Sequence, residues 1–391
     1  MFDQQVYVCG DFQIESGEGH KTTPVPLPLP IKTARVKMVA AGGSLLLICT
    51  DTNHLLVKSS NMGTSLMPLE LHGRKNLPEI SQIAAGYTHG MVWTEDGKLY
   101  GFGRNSEHQL TKHCVLKGVE SREVTEAFEI GRLPFKHLKK LICRFNNSAV
   151  ITPDGGCYVT GCNTEQLTSI EGPSLDCFTK IHLEDNKRVA HISFGDSHSV
   201  IVTENGELYT AGSNGYGQMG SGSPQKTFQK VKAITERVKF AECGYYHTIA
   251  ITEGNQIWGC GWNAVGELGI ADVGDQHKFV LAKFIAPEPI VYMSVGFQQT
   301  FIRLKNGKMF CCGFNSYGGL GLGDTDPRST YVPFELPKMN KAVCGGHFTT
   351  FYYDSTLEMT RHEKHMKECL KMIFQRENSL SDIALLCQGQ Y

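Results

Sequence analysis

The sequence predicts an all-β protein, a β-propeller of seven blades that is closed by pairing of its two ends. Three observations predict this fold: a Gly-x-x-His half-unit that recurs along the chain, a second half-unit in which an aromatic residue precedes Gly by three positions, and turn dipeptides between the two. Each half-unit occurs seven times. The 391 residues include 42 glycines and no long helical pattern over most of their length, so one large β-sheet body accounts for the chain.

The first half-unit begins with Gly and continues into alternating apolar residues that end in a turn. Clear copies are Gly86-Tyr-Thr-His89, Gly195-Asp-Ser-His198 and Gly244-Tyr-Tyr-His247, and weaker copies begin at Gly42, Arg144, Gly296 and Gly345, so that neighbouring copies start 44 to 58 residues apart. Asn147 and Gln299 replace the histidine and keep its hydrogen-bonding capacity, whereas Leu45 does not. A residue type that repeats at equivalent positions around a ring usually has a structural role and not a catalytic one. We therefore interpret these histidines as hydrogen-bonding struts.

The second half-unit pairs an aromatic residue with a glycine three positions later. Its copies are Tyr7/Gly10, Tyr100/Gly103, Tyr158/Gly161, Tyr209/Gly212, Trp258/Gly261 and Phe310/Gly313, with a degenerate copy at Leu56/Ser59. Asp-Gly, Asn-Gly or Gly-Asn joins the halves, and such dipeptides supply the positive φ angles of tight hairpins. Each unit is therefore a small antiparallel sheet, and radial packing of successive sheets around an axis buries their faces.

The order of the halves predicts how the ring closes. The chain begins with a lone second half, Val6 to Gly10, and the repeats end with a lone first half, Val343 to Tyr353. Pairing of these two would complete a shared blade and leave no long exposed edge. We therefore assign residues 1–355 to the propeller and predict a helical linker over 356–378, where Met366, Leu370 and Phe374 recur at helical spacing.

The combined pattern, Gly-x-x-His, Asp-Gly, then aromatic-x-x-Gly-x-Asn-x-x-Gly-x-Leu-Gly, resembles the regulator of chromosome condensation repeat. Asn263-Ala-Val-Gly-Glu-Leu-Gly269 and Asn315-Ser-Tyr-Gly-Gly-Leu-Gly321 are close to the full motif. The resemblance covers residues 1 to about 355 and implies a seven-bladed propeller. The segments around Leu56 and Arg144 depart from the pattern, so we expect distorted blades there.

The last thirteen residues, 379–391, resemble the opening of a BTB/POZ domain through their Ser-Asp-Ile-x-Leu-Leu start. Some members of the repeat family place such a domain directly after the propeller. We therefore expect 379–391 to be the beginning of a truncated BTB/POZ domain. Dimerisation by that domain would need residues beyond these, so we expect this chain to be a monomer.

Composition excludes several classes of ligand. With 38 basic and 39 acidic side chains the formal net charge is −1, so no overall positive field favours nucleic acid as the main ligand. Neither a run of 18 apolar residues nor a secretory leader occurs, which predicts no membrane partner and an intracellular protein, cytoplasmic rather than nuclear. The fourteen scattered cysteines are interpreted as reduced, mostly buried thiols.

The sequence gives no reason to expect a cofactor or metal. Gly215-Tyr-Gly-Gln-Met-Gly220 satisfies a dinucleotide-binding string, but no helix-forming segment follows it and the repeat explains it. His362, His365 and Cys369 would share one helix face without a fourth ligand, so no metal site is predicted. The three tryptophans, Trp93, Trp258 and Trp262, are too few for the dense cluster of the plant ultraviolet-B photoreceptor and are interpreted as core.

The resemblance implies that residues just after the repeat glycine lie on one face of the ring. In the exchange factor for the small GTPase Ran, acidic and histidine side chains of these loops promote nucleotide release. Asp196 matches an acidic loop of that factor, and His198 and His247 match the repeat histidine. One hypothesis is therefore a guanine-nucleotide exchange factor for a Ran-type GTPase, although the chain shows neither an evident wedge insertion nor a basic N-terminal tail.

The other hypothesis is a non-catalytic propeller that docks a partner protein, such as a client of a BTB adaptor. Tyr87, Phe145, Tyr245 and Phe297 occupy the equivalent loop position in four of the seven blades, and Tyr246 is adjacent. We predict that these five residues and Asp196 bind the partner. Aromatic residues are favoured at interface centres. The same rings would alternatively pack only against neighbouring loops. We predict the docking function, with no covalent chemistry and no catalytic residues.

Overall fold

The computed structural model of the chain describes residues 6–12, 19–31, 34–59, 66–74, 78–112 and 126–354. In these ranges 29 strands form seven sheets, which confirms the predicted all-β propeller of seven blades. The predicted helix over 356–378 and the BTB/POZ-like segment over 379–391 lie outside the described residues. No helix of the described ranges is long and apolar enough to cross a lipid bilayer.

The chain opens with two strands and then builds blades 1 and 2. The opening strands are β1 (Val6–Gly10) and β2 (Lys21–Leu27). Blade 1 consists of β3 (Val36–Ala41), β4 (Leu45–Thr50), β5 (Leu55–Ser59) and β6 (Met67–Pro68). The short strand β7 (Glu70–Leu71) pairs in parallel with β11 of blade 2, which consists of β8 (Ile80–Ala85), β9 (His89–Thr94), β10 (Leu99–Gly103) and β11 (Glu126–Glu129).

Blades 3 to 6 are regular four-stranded antiparallel sheets. Blade 3 consists of β12 (Lys140–Arg144), β13 (Asn147–Ile151), β14 (Cys157–Cys162) and β15 (Ser174–Lys180), and a 3-10 turn (Glu184–Asn186) follows it. Blade 4 consists of β16 (Val189–Phe194), β17 (His198–Thr203), β18 (Leu208–Gly212) and β19 (Gln225–Lys230). Blade 5 consists of β20 (Val238–Cys243), β21 (His247–Thr252), β22 (Ile257–Gly261) and β23 (Gln276–Leu281). Blade 6 consists of β24 (Ile290–Val295), β25 (Gln299–Leu304), β26 (Met309–Gly313) and β27 (Arg328–Phe334).

The two ends of the repeat region form blade 7 together. Its inner strands are β28 (Lys341–Cys344) and β29 (Phe348–Tyr352), and β29 pairs with β1 in a register that runs from Tyr7 opposite Phe351 to Gly10 opposite Phe348. The innermost strand of each blade contacts that of the next around the axis, and β28 contacts β3. The predicted closure is confirmed, because the strands from the two ends of the repeats pair with each other.

Packing of the histidine ring explains the Gly-x-x-His half-unit. A Cβ added at Gly244 would lie 1.9 Å from Cε1 of His247, and one at Gly86 would lie 2.0 Å from Cε1 of His89. The ring therefore occupies the space of the missing side chain. Blade 3 carries Arg144 in place of the glycine, and there the fourth residue is the shorter Asn147. Blade 3 is still a four-stranded antiparallel sheet, but its inner turn differs from the others: β12 extends to Arg144, and Phe145 has a φ of +46°. The distortion expected around Arg144 is therefore confined to this turn.

The histidines also connect neighbouring blades. Nε2 of His89 lies 2.9 Å from Oγ of Ser148, and Nε2 of His198 lies 3.0 Å from Oγ1 of Thr248. The Gln299 amide takes the same role by donating to the Phe348 carbonyl at 3.1 Å. Burial lowers the pKa of both histidines to about 3, so the rings are neutral at physiological pH. These contacts fit the predicted role as struts.

Candidate docking face

Two sets of loops emerge on one side of the ring because adjacent strands are antiparallel. The inner loops join the first and second strands of each blade, as at 86–88, 195–197, 244–246 and 296–298. The outer loops join the third and fourth strands, as at 163–173, 213–224, 262–275 and 314–327. We call this side the upper side, and every partner-binding residue predicted from the sequence belongs to its inner loops.

Backbone hydrogen bonds fix the inner loops to one another. The Tyr87 amide donates to the Phe145 carbonyl at 2.7 Å, and the Tyr245 amide donates to the Phe297 carbonyl at 2.8 Å. The Asp196 amide likewise donates to the Tyr245 carbonyl at 3.2 Å. Each bond joins two different blades, so the side chains of these loops are presented from a rigid frame near the axis.

The predicted aromatic residues come together in space. Phe297 lies at the centre, with ring centroids 5.2 Å from Phe145, 5.3 Å from Tyr245, 5.6 Å from Tyr87 and 5.6 Å from His347. Phe145 is buried, Phe297 and Tyr245 are partly exposed, and Tyr87 is 38% exposed. The rings therefore pack against neighbouring loops, and those of Tyr87, Tyr245 and Phe297 also form part of the molecular surface.

Two aromatic residues of the outer loops extend this surface. The Tyr246 ring contacts Tyr245 at 4.4 Å, Tyr216 at 4.9 Å and Trp262 at 5.6 Å. Trp262 was interpreted as core from the sequence, and that interpretation is wrong: its side chain is partly exposed on the outer loop that follows Gly261. Its amide donates to the Tyr246 carbonyl at 2.9 Å. Trp93, by contrast, is buried in the core.

A third group continues the surface towards blade 7. His347 contacts Tyr317 at 5.2 Å and Phe314 at 5.4 Å, and His20 contacts Tyr317 at 4.5 Å. We call the connected rings the aromatic face; its members are His20, Tyr87, Phe145, Tyr216, Tyr245, Tyr246, Trp262, Phe297, Phe314, Tyr317 and His347. The sequence did carry a signal for two of the missed members, because Asn214-Gly-Tyr216-Gly and Asn315-Ser-Tyr317-Gly place a tyrosine at the same point of the repeat turn.

Asp196 is the acidic group of the aromatic face. Burial raises the pKa of its carboxyl, while hydrogen bonds from the Tyr245 and Tyr246 hydroxyls lower it and the charge of Glu165 raises it further. The other two residues of the exchange hypothesis, His198 and His247, are buried inside the propeller. They are 0% and 1% exposed, and burial lowers the pKa of each to about 3. Only Asp196 of these three is at the surface.

Arg144 closes the axis beneath the aromatic face. Its guanidinium donates to the carbonyls of Cys243 and, at 2.9 Å, Val295, in blades 5 and 6. The narrow axial cavity beside it is lined by residues of five blades, including Gly43, Ala85, Phe297 and Gly345. The sequence marked Arg144 only as a departure from the repeat, because its reach across the axis depends on the assembled ring.

A polar network lies on the inner strands of blades 3 to 5. Nζ of Lys140 lies 2.6 Å from Nδ1 of His191. Because an ammonium group can only donate, Nδ1 accepts this hydrogen bond. The proton of the ring is then on Nε2, which donates to the Glu242 carboxylate at 2.9 Å. The Ser193 hydroxyl donates to the same carboxylate at 2.7 Å, and Arg144 lies 3.8 Å from it. Burial raises the pKa of Glu242, but these charges and hydrogen bonds outweigh it and hold the pKa near 2.

Family models match the repeats of this ring. The regulator of chromosome condensation (RCC1) repeat matches residues 80–109, 189–218 and 238–267 in one form, and 205–251 and 306–352 in another. The chain therefore carries RCC1 repeats. Across the described part of the chain no group of three or more His, Cys, Asp or Glu side chains is arranged to hold a metal ion.

Curated relatives share the repeats at low identity. The regulator of chromosome condensation of Xenopus laevis is 25% identical over 344 residues, which cover 81% of this chain and 78% of the relative. The ultraviolet-B receptor UVR8 of Arabidopsis thaliana is 27% identical over 290 residues, covering 73% of this chain and 62% of the receptor. The X-linked retinitis pigmentosa GTPase regulator of Mus musculus is 30% identical over 193 residues, covering 48% of this chain and 18% of the relative. The chain thus spans less than two thirds of the last two proteins.

Solved structures show the same fold. Human WBSCR16 superposes with a TM-score of 0.77 at 16% identity, over 90% of this chain and all of that one. Prp20p of Saccharomyces cerevisiae, described with its binding to Gsp1p and histones, superposes with a TM-score of 0.73 at 16% identity, over 95% of each chain. These likenesses establish the propeller and not the partner.

Proposed function

We propose that the chain is a docking propeller that binds another protein through the aromatic face. The observation that carries this proposal is the continuity of the face: eleven rings from six blades contact one another across the upper side. Aromatic side chains give large contact area at low entropic cost and dominate the centres of interfaces. Backbone hydrogen bonds between the blades hold the inner loops in place, so the aromatic side chains are preorganised for binding.

Guanine-nucleotide exchange is the second candidate. It is supported by the Xenopus relative aligned over most of both chains and by the acidic Asp196 on the upper side. Against it, the Asp196 carboxyl is held by two tyrosine hydroxyls, and His198 and His247 are buried away from a partner. The geometry therefore favours docking over exchange.

The first experiment measures partner capture by surface variants of the full chain. Tyr245→Ala removes a ring that contacts Phe145, Tyr246 and Phe297, and should reduce capture at least tenfold. Ile285→Ala is the matched control, because this side chain is 89% exposed on a loop of the opposite side. Equal capture by the two variants would contradict docking through the aromatic face.

The second experiment separates docking from exchange. Release of fluorescent GDP from Ran and from Rho- and Rab-type GTPases is followed with the chain at a small fraction of the GTPase concentration. We expect no acceleration. Turnover by the wild type that is lost in Asp196→Ala would instead establish an exchange factor with its site beside Asp196.

A further inference from the structure

The upper side is strongly asymmetric in charge, although the whole chain is nearly neutral. We consider the inner loops 195–197, 244–246, 296–298 and 345–347 together with the outer loops 163–173, 213–224, 262–275 and 314–327. These segments contain no lysine or arginine. Their acidic residues are Glu165, Glu171, Asp196, Glu267, Asp272, Asp275, Asp324 and Asp326. We call these loops the acidic half of the upper side.

Most of these carboxylates are available to a partner. Glu165, Glu171, Asp272, Asp275 and Asp326 are exposed, whereas Glu267 is buried and accepts a hydrogen bond from the Val265 amide. Arg328, at the start of β27, pairs with Asp324. The exposed carboxylates therefore produce a negative potential around the aromatic rings that attracts a positively charged partner.

Asp196 brings one carboxylate into direct contact with the rings. It interacts with the hydroxyls of Tyr245 and Tyr246 and with the charge of Glu165, and no basic side chain of the described residues is among its electrostatic partners. A partly buried carboxylate without a neighbouring cation is costly in free energy. A cation supplied by a partner would remove that cost, so pairing with Asp196 would contribute favourably to the free energy of binding.

Tyr246, beside Asp196, belongs to a cluster of three rings that favours the same type of ligand. Tyr216, Tyr246 and Trp262 lie within 4.9 to 5.6 Å of one another, and Tyr216 is 39% exposed. The face of an aromatic ring attracts cations through its quadrupole, most strongly for Trp and Tyr. Aliphatic stems also bury well on such rings. Rings with an adjacent carboxylate thus fit a cationic group on an apolar stem.

We propose that the partner of this propeller inserts a lysine or arginine side chain, carried by a basic segment, between Asp196 and the rings of Tyr246 and Trp262. The inference rests on the proposed docking function and specifies the chemistry of the partner. The surrounding carboxylates attract the rest of the basic segment. Anionic ligands such as nucleic acid are repelled from the same half.

The test uses two nonapeptides of glycine and serine that differ only in three positions, which are arginine in one and the neutral isostere citrulline in the other. Binding is followed through Trp262 fluorescence in a Trp93→Phe, Trp258→Phe background. The arginine peptide should bind at least tenfold more tightly than the citrulline peptide, and its affinity should fall as salt rises. Asp196→Asn should reduce the preference below threefold.

The matched control is Asp154→Asn, which neutralises a carboxylate on the opposite side of the ring and should leave the preference unchanged. Equal affinity for the two peptides, or no detectable binding of the arginine peptide, would overturn the inference. The proposed function is judged separately: loss of partner capture in Tyr245→Ala with full capture in Asp196→Asn would mean that the face docks a partner without recognising a cation.

Discussion

Replacing Gly244 with alanine should destabilise the propeller, and shortening His247 to asparagine in the same chain should remove most of the clash. The new Cβ would lie 1.9 Å from Cε1 and 2.4 Å from Nδ1 of His247, whereas ordinary contacts begin near 3.4 Å. His247 is 1% exposed, so its ring has little room to move. Overpacking of this kind costs about 1–3 kcal/mol, and we expect a loss of about 2 kcal/mol.

Blade 3 supplies the reason to expect rescue. There Arg144 occupies the glycine position, the fourth residue is the short Asn147, and Phe145 between them has a φ of +46°. In Gly244→Ala, His247→Asn the two effects should therefore not add, and the coupling free energy should be about 1–2 kcal/mol. Gly215→Ala is the control, because a Cβ at Gly215 meets nothing within 4 Å.

The free energy of unfolding is measured by urea denaturation followed by circular dichroism. The steric explanation of the repeat glycine would be refuted by either of two results. One is a Gly244→Ala variant as stable as Gly215→Ala. The other is a double variant whose loss equals the sum of the two single losses.

Three further predictions concern the axis, the struts and the thiols. Arg144→Gly, which restores the repeat, should lower the unfolding free energy by about 2–5 kcal/mol because two carbonyls lose a charged donor, and urea denaturation measures this. Burial lowers the pKa of His198 from 6.5 to about 3, so between these two pH values the unfolded chain binds a proton that the folded chain does not. The free energy of unfolding therefore falls as the pH drops from 6.5 to 3. His198→Gln should reduce the pH dependence of the unfolding free energy in this range by about 1.4 kcal/mol per pH unit. Ellman's reagent should modify the partly exposed Cys162 and Cys177 in the folded protein, whereas Cys143, whose pKa burial raises to about 12, should react only after unfolding.

Loop position along the repeat was sufficient to predict the centre of the candidate site. Tyr87, Tyr245, Tyr246 and Phe297 follow the repeat glycine and Phe145 follows Arg144 in its place, and the structure brings all five together. The sequence could not show that the outer loops join them, because a repeat pattern does not reveal which loops lie side by side in the assembled ring. The exposure of Asp196 and the burial of His198 and His247 likewise depend on the assembled blades.

The sequence by itself determined the blade count, the hairpins and the shared closing blade, because these follow from local patterns: spacing of glycines, alternation of apolar residues and turn dipeptides. Only the tertiary structure decided what lies across the axis. Arg144 binds carbonyls of Cys243 and Val295, residues about one hundred and one hundred and fifty positions away, and the acidic half gathers loops of five blades. Contacts of that range are set by ring closure, which fixes distances that no local pattern encodes.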